Sequence, residues 1–523
     1  MSGSRIAGLL AAVVVAGQLH AQAGPRPPTF TQHVASILYR ECASCHHPGG
    51  SAPFSLLTYA EVRDRAVLIA AAVESRRMPP WLPAAGHAEF AGERRLSDAE
   101  ISTIRRWVKG GTLEGDPAIL PSLPSLPSGW QLGEPDLVIA FPSYTVPAGG
   151  LDIYRNFVAA APVRETRFVR TVEVRPGDPR VVHHGRMMID TTNSSRQFDE
   201  QDPGTGFDGM DLTSNALNPD GFFIGWTPGK VPGAGDPEMA WRLTPGTDVV
   251  LQLHFRPAGE PYTVTPRVGL HLASRPPSRM PVVIMLGTRL IDIPAGQRDY
   301  LVVDSFALPV DVEALGVYPH AHFLAKEMQA LARLPNGQTR WLLRIDDWDF
   351  NWQDEYRYAT PIPLPRGTVI VMRYTYDNSA VNPQNPSDPP KRVTFGSYST
   401  DEMADLVLQL LPRDAADAAA LRGAVAWKHH AEQVGYLAHR ERALGDSALA
   451  RGDFDGAIAH YREAVLQRSE PGAHYVLGNA LAAKGEIDQA IAQFQQALRL
   501  ATESGADALA DQIRKRLERY RPP

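Results

Sequence analysis

The sequence predicts a multidomain chain: a small all-α domain, two all-β sandwich domains and a C-terminal all-α set of helical repeats. Three observations carry this. The texture changes near Trp130 from helix-like segments to short apolar runs punctuated by Pro and Gly, and it changes back near Pro412. The last hundred or so residues are Ala-rich and repeat themselves. The length, 523 residues, corresponds to about three to five domains of ordinary size.

Composition narrows the class. Hydrophobic residues make up 44 % of the chain, enough for real cores and against general disorder. Charged residues are 21 %, the net charge is −6 and no long basic block occurs, which argues against a sequence-independent nucleic-acid binder. The 43 Gly and 45 Pro exceed their usual share and suit loop-rich and sheet-rich structure.

At the N-terminus, Arg5, the apolar run 6–17 and Ala21-Gln22-Ala23 form a charged, apolar and small-x-small series. This is the pattern of a cleaved export signal, here 1–23. The apolar run is shorter than the roughly 20 residues a bilayer span requires. The mature chain is therefore expected to be periplasmic or secreted, with no membrane span.

Residues 29–115 read as helical. Ser97-Asp98-Ala99-Glu100 opens a helix to Lys109, and Gly110-Gly111 stops it. Residues 117–129 are a Pro/Ser linker, extended at about 3.1 Å per residue if polyproline II. From 130 to 412, runs such as 137–141, 249–255, 282–286 and 368–376 read as strands. That zone is long enough for two sandwiches, 130–278 and 279–412, with Arg275-Pro-Pro-Ser-Arg-Met-Pro281 as the seam. A helical connector, 413–440, leads to repeats over 441–520. There Arg451-Gly-Asp-Phe-Asp-Gly-Ala-Ile-Ala recurs as Lys484-Gly-Glu-Ile-Asp-Gln-Ala-Ile-Ala, Tyr461 matches Phe494, and Leu444-Gly445 matches Leu477-Gly478. The pattern resembles the tetratricopeptide repeat, whose period is about 34 residues. That resemblance implies a short solenoid and a protein partner.

Cys42-Ala43-Ser44-Cys45-His46 has the C-x-x-C-H form of c-type haem attachment. Two thiols would join the haem vinyl groups and His46 would bind the iron. A redox disulfide or half a zinc site fits less well, because the His adjoins and no second Cys pair exists. The other axial ligand is expected to be Met78, in Arg76-Arg77-Met78-Pro79-Pro80-Trp81, with His47, His87 or an open iron position as rivals. The whole segment resembles a small class I cytochrome c domain, which implies one covalent haem c. The two cysteines are then the number that haem requires.

A second constellation lies in the β-rich zone: His183-His184, His254, and His320-Ala321-His322. Strand residues two apart share a face, so His320 and His322 are placed to grip one metal. Adjacent histidines point to opposite faces, so His183 and His184 can share a metal only at a bend or bulge. His271 reads as an ordinary strand histidine. Together with Met403 in Ser399-Thr400-Asp401-Glu402-Met403, the series resembles the copper type II, ascorbate-dependent monooxygenases. These are the peptidylglycine α-hydroxylating and dopamine β-monooxygenase family, whose ligands occur as His-His, His, His-x-His and Met in that order. The resemblance covers residues 130–412. It implies two jelly-roll-like sandwiches and two coppers. One copper would sit on His183, His184 and His254 for electron transfer. The other, on His320, His322 and Met403, would bind and activate O2.

The resemblance also implies C–H hydroxylation, with one oxygen atom entering the substrate, the other leaving as water, and two electrons consumed. Family disulfides have no counterpart here, and the family's substrate residues have no secure match. Tyr374, Tyr376 and Asn378 are candidates to line the cleft, and Arg373 or Arg186 to pair with an anion, with a solvated or structural role the preferred reading of each. The fused haem segment suggests that electrons from an external donor reach the three-histidine copper through the haem. An alternative is an electron-transfer or copper-handling scaffold that binds both metals and partner proteins without activating oxygen. A haem peroxidase, which needs an open iron position, is a third.

Overall fold

The computed structural model describes residues 27–50, 52–124, 129–178, 180–209, 215–236 and 238–520. The export signal expected at 1–23 lies outside the described residues, as do residues 125–128 of the expected linker. The chain divides into two compact units.

The first unit is helical. A π-turn at Phe30–Val34 runs into the helix Ala35–Glu41, followed by Tyr59–Arg63, Ala66–Glu74 and Asp98–Lys109. Phe30, Leu38, Ile104 and Trp107 share its core. Ser97 caps the last helix reciprocally with Glu100, as the sequence motif predicts, and Thr58 does the same with Glu61. Each box satisfies amide groups that a helix start leaves open.

The second unit contains two β-rich halves, each with its own core. In the first half, a sheet of Phe207–Asp208, Ile153–Ala160, Asp248–Phe255, Val182–Asp190 and Ile224–Trp226, in that order, is all antiparallel. A second sheet, in the order Leu137–Ala140, Arg267–Leu272, Arg167–Arg175 and Trp241–Leu243, contributes to the same apolar cluster. In the other half, Val282–Gly287, Asp405–Pro412, Val312–His320 and Tyr356–Leu364 form one sheet. Tyr300–Ala307, Val369–Tyr376, Ala325–Arg333 and Thr339–Ile345 form another, and both contribute to a single core. The strand Asp248–Phe255 is buried at every position, its polar Asp248, Gln252 and His254 together with its apolar Val249, Val250, Leu251, Leu253 and Phe255.

Two segments depart from the expected boundaries, 49–53 and the longer 80–94. Residues 80–94, read from sequence as part of a helical domain 29–115, belong to the second unit. Trp81 packs edge-on to Tyr356 at 5.3 Å, and Phe90 stacks on Tyr358 at 5.3 Å. The backbone adds Ala84 N to Arg344 O at 2.7 Å and Ala91 N to Arg357 O at 2.8 Å. Arg94 closes the strap on Asp354 at 3.0 Å. The physical reason is apolar: Trp81, Leu82, Ala88 and Phe90 find the core of the second half.

The expected break at 440/441 is also absent. One helix, Ala415–Ala450, runs through it, capped by the Asp414 carboxylate on the amides of Ala416 and Asp417. Its first turns bury Ala418 and Leu421 in the core of the second β-rich half. The helices Phe454–Gln467, Pro471–Lys484, Ile487–Glu503 and Asp507–Glu518 follow. Their packing explains the repeated small residues. A Cβ on Gly445 would lie 2.5 Å from the Tyr461 ring, and one on Gly478 would lie 2.7 Å from the Phe494 ring. Phe494 is fully buried, so an added side chain would have to displace a packed ring.

Gly478→Val should therefore destabilise the repeat region by about 1–3 kcal/mol through overpacking. Urea unfolding followed by far-ultraviolet circular dichroism reads this. An unchanged helical transition would show that these helices do not meet closely.

Candidate metal centre

Val182–Asp190 and Asp248–Phe255 are neighbouring strands, and their register places His184 directly opposite His254. The pairing slips between Val182 and His184, so His183 is the extra residue of a bulge. This is the irregularity that adjacent histidines need to face one metal. The ring centroids of His183, His184 and His254 lie 4.8–5.2 Å apart. One ligand atom from each ring falls within 4.8 Å of the others. The Nδ1 atoms of His183 and His184 face each other at 3.1 Å. Tyr154, across the ladder from His254, stacks on its ring at 4.2 Å.

The second set sits at the ends of two other strands. His320 is the last residue of Val312–His320 and pairs with Asp405, the first residue of Asp405–Pro412. Met403 lies just before that strand and is 7 % exposed. His322 corrects the sequence expectation: it lies beyond the strand end, so strand alternation does not aim it. Side chains from elsewhere hold it instead. Its backbone N–H donates to Glu402 Oε1 at 2.6 Å, and its carbonyl accepts from Trp348 Nε1 at 3.1 Å.

Hydrogen bonds select the tautomers. His322 Nδ1 lies 3.2 Å from the Asp401 carbonyl, an acceptor only, so Nδ1 carries the proton and Nε2 the lone pair. His320 Nδ1 lies 2.5 Å from Gln353 Oε1. Gln353 is oriented by its own Nε2, which donates to Phe350 O at 3.1 Å. His320 Nε2 is thereby left as the ligand atom. Orienting contacts of this kind are what metal-binding imidazoles require.

Burial is the first cause that pushes His183, His184, His254 and His322 below the ordinary imidazole range, and neighbouring charge adds to it for His183, His184 and His322. These rings are neutral and have lone pairs to offer. Both ring nitrogens of His254 and Nε2 of His322 are buried without a hydrogen-bond partner. A buried polar atom left unpaired costs about 1–3 kcal/mol, which a bound metal ion would offset. His254 Nε2 faces Asp152 at 3.4 Å. Burial opposes ionisation of that carboxyl, but His254 and the Ser399 amide outweigh it and hold it well below the usual carboxylate range.

The two sets are not far apart. The rings of His184 and His320 are 5.8 Å apart, and those of His320 and His322 are 5.4 Å apart. Five imidazoles thus form one continuous cluster. Phe350 stacks on His183 at 4.4 Å and touches His322 at 5.5 Å. His184, His320 and Met403 open on one cavity of about 1110 Å³.

In the helical unit, Cys42, Cys45 and His46 share a turn after Ala35–Glu41, closed by Cys45 N and His46 N on the Cys42 carbonyl at 3.2 and 2.9 Å. His46 Nδ1 lies 3.1 Å from the Phe54 carbonyl, which leaves Nε2 as a ligand atom. Burial, then Glu41, pushes the Cys42 thiol up to about 12, unlike the thiolate of a redox dithiol. Met78 belongs to this unit, half-buried, with its amide on the Ala72 carbonyl at 3.2 Å. His47 Nδ1 bonds the Ala43 carbonyl at 2.9 Å. His87 belongs to the other unit and packs on Trp341 at 4.9 Å.

The cleft candidates resolve differently. Tyr376 and Tyr374 are fully buried and donate their hydroxyls to the carbonyls of Met403 and Asp405, at 2.8 and 3.0 Å. They are props behind the methionine. Asn378 holds the carbonyls of Ile293, Pro294 and Lys391. Neither these three nor Arg373 lines the cavity, whereas Arg186 does. His271 lies in the other sheet of its half. The sequence reading missed Asp152, Tyr154, Trp348, Phe350 and Gln353. The aromatic density of Trp348-Asp349-Phe350-Asn351-Trp352-Gln353 was the available signal for three of them.

In metal-free protein, the ring resonances of His183, His184 and His322 should show no protonation as pH falls from 8 through about 6.5, the ordinary imidazole value. Proton-carbon NMR of the imidazoles checks this. Titration near 6.5 would place these rings in water.

Residues 442–505 match the tetratricopeptide repeat family model. No curated protein matches the chain. Among solved structures, the chain is similar to the major capsid protein P2 from bacteriophage PM2, with TM-score 0.23 and 9 % identity over 53 % of this chain and 97 % of that one. It is also similar to PNGF-II, with TM-score 0.24 and 11 % identity over 52 % and 65 %. For the infectious bursal disease virus VP2 subviral particle the values are 0.17 and 8 % over 55 % and 75 %. Similarities this slight carry no argument about fold or function. Within the C-terminal helices, residues 442–505 are a region of tetratricopeptide repeats.

Proposed function

We propose that the protein is an exported haem- and copper-dependent monooxygenase that hydroxylates a C–H bond of an organic substrate with O2. The observation that carries this reading is the cluster of five imidazoles, two of them (His254 and His322) unpaired at buried nitrogens, that meets the Met403 thioether at one cavity. Imidazoles suit copper, and a thioether favours Cu(I) over harder ions. Bound copper would supply one-electron redox chemistry and oxygen activation, with a haem on Cys42, Cys45 and His46 as electron store.

The chain's own residues would do the rest. Gln353 and the Asp401 carbonyl fix the protons of His320 and His322 on Nδ1 and aim Nε2 inward. Asp152 links His254 to the loop before Met403, because its carboxylate also accepts from Ser399 N at 3.3 Å. Tyr376 fixes that loop from behind. Phe350 and Tyr154 cover imidazole faces and keep water away. The repeats support docking of a partner protein, and an electron donor is the partner this reading calls for. Among the described residues, no helix is long and apolar enough to cross a membrane.

Metal analysis of the purified full chain tests the reading. The expected result is one haem and two coppers per chain, with Met403→Ala keeping the three-histidine copper but losing reductant-dependent O2 uptake coupled to product. Zinc in place of copper, or full coupled uptake in Met403→Ala, would overturn it. Metal loading with no coupled uptake in the natural chain would favour the electron-transfer scaffold.

A further inference from the structure

We propose that Tyr436, on the helix that opens the repeat arm, is a positioning residue for the loop carrying Met403, and that it couples the repeats to the second metal set. The proposal deepens the monooxygenase reading by naming how that set is regulated, and it rests on that reading only in treating Met403 as a ligand.

Ala415–Ala450 is a single helix of 36 residues. Leu421, Val425, Lys428 and Tyr436 recur at helical spacing and share one face of it. Leu421 and Val425 pack on the core of the second β-rich half, and Lys428 Nζ donates to Asp304 Oδ1 at 2.8 Å. Tyr436 continues that face. Its ring meets the Phe395 ring edge-on at 6.4 Å, and the Arg289 guanidinium lies 5.7 Å over Tyr436 and 5.8 Å over Phe395. These separations are those of attractive aromatic and cation–π pairs.

Phe395 is built into the support of the second metal set. Its backbone bridges to Glu402. Glu402 N donates to the Thr394 carbonyl at 3.1 Å, and Gly396 N donates to the Glu402 carbonyl at 3.3 Å. Glu402 is thus held by both neighbours of Phe395. Its carboxylate accepts from the His322 amide at 2.6 Å, and Met403 is the next residue of the chain. A Cβ on Gly396 would collide with the Asp401 carboxylate, and the Asp401 carbonyl is the partner of His322 Nδ1. A displacement of Phe395 therefore reaches His322 and Met403 together.

The far end of the same helix belongs to the repeats. A Cβ on Gly435, the residue before Tyr436, would lie 3.2 Å from Nη1 of Arg468, which ends the helix Phe454–Gln467. Glu441 Oε2 pairs with His460 Nδ1 at 2.8 Å, and Gly445 packs on Tyr461. Leu421 and Gly445 stand about 36 Å apart along one continuous helix, and such rigid elements carry coupling between sites.

The test uses full-length protein with carbon-13-labelled methionine methyl groups, first without added metal and then titrated with silver(I), a redox-inert soft ion that thioethers and imidazoles bind. Without metal, Tyr436→Ala should move the Met403 methyl resonance and leave that of Met188, on the strand of His184, in place. It should weaken silver binding at Met403 by about fivefold or more. Tyr436→Phe should restore both values, because the ring makes the contact. Tyr436→Leu keeps apolar bulk without an aromatic face; it should behave as alanine does and decides the matter if the alanine variant does not fold. Coupling is reciprocal, so silver should slow amide hydrogen exchange over residues 437–461 in the natural chain and not in Tyr436→Ala. An unmoved Met403 resonance with unchanged silver affinity in Tyr436→Ala, equal losses in Tyr436→Phe and Tyr436→Ala, or protection over 437–461 that persists without the ring would each overturn the proposal. No silver response at Met403 in the natural chain would remove the metal reading, and the metal-free resonances of Tyr436→Ala and Tyr436→Phe would then decide the positioning role.

Discussion

Five histidine rings meet in one place in the second unit, and much of the packing around them bears on how they face one another. A protonated imidazole cannot ligate a metal, and a buried one without a partner is costly. Burial pushes four of the rings toward the neutral form, and the unpaired nitrogens of His254 and His322 are the cost. The two β-rich halves bear on different parts of the problem. The first places three rings on neighbouring strands of one sheet, and a bulge turns His183 toward the others. The second places His320 at a strand end and holds His322 and Met403 through loop contacts.

Those contacts come mostly from groups that are not ligands. Glu402 grips the His322 amide, Gln353 fixes the His320 tautomer, and two buried tyrosines hold carbonyls beside Met403. Asp152 joins the halves, since it faces His254 from one and accepts from Ser399 of the other. The strap 80–94 acts at one remove. Arg94 holds Asp354, the residue next to Gln353. A chain segment leaving the helical unit is in this way anchored beside the orientation of a candidate metal ligand.

The helical arm obeys a separate constraint. Its helices approach where Gly445 faces Tyr461 and Gly478 faces Phe494, and the same pair of roles recurs one repeat later. Its first helix does two jobs, because it also buries Ala418 and Leu421 against the second β-rich half. That sharing is why no break appears at the boundary expected near residue 440.

Candidate ligands were legible in the sequence. Donor atoms belong to residue types, so His183, His184, His254, His320, His322 and Met403 could be singled out from order and spacing. The need for a bulge at His183 was also legible, because strand alternation is local geometry. So were the caps at Ser97 and the repeat spacing, which depend on residues close along the chain. What remained hidden depends on distant segments meeting. The strap 80–94 left its expected domain because its aromatic side chains found a core built from residues more than two hundred positions away. Tyr374 and Tyr376 proved to be props rather than cleft residues, since only packing decides which face of a strand is inside. The closeness of His184 to His320 is likewise a tertiary fact. By itself the sequence determined which atoms can bind a metal. Folding decided which of them face one another, because register and packing, not residue type, set the distances between segments.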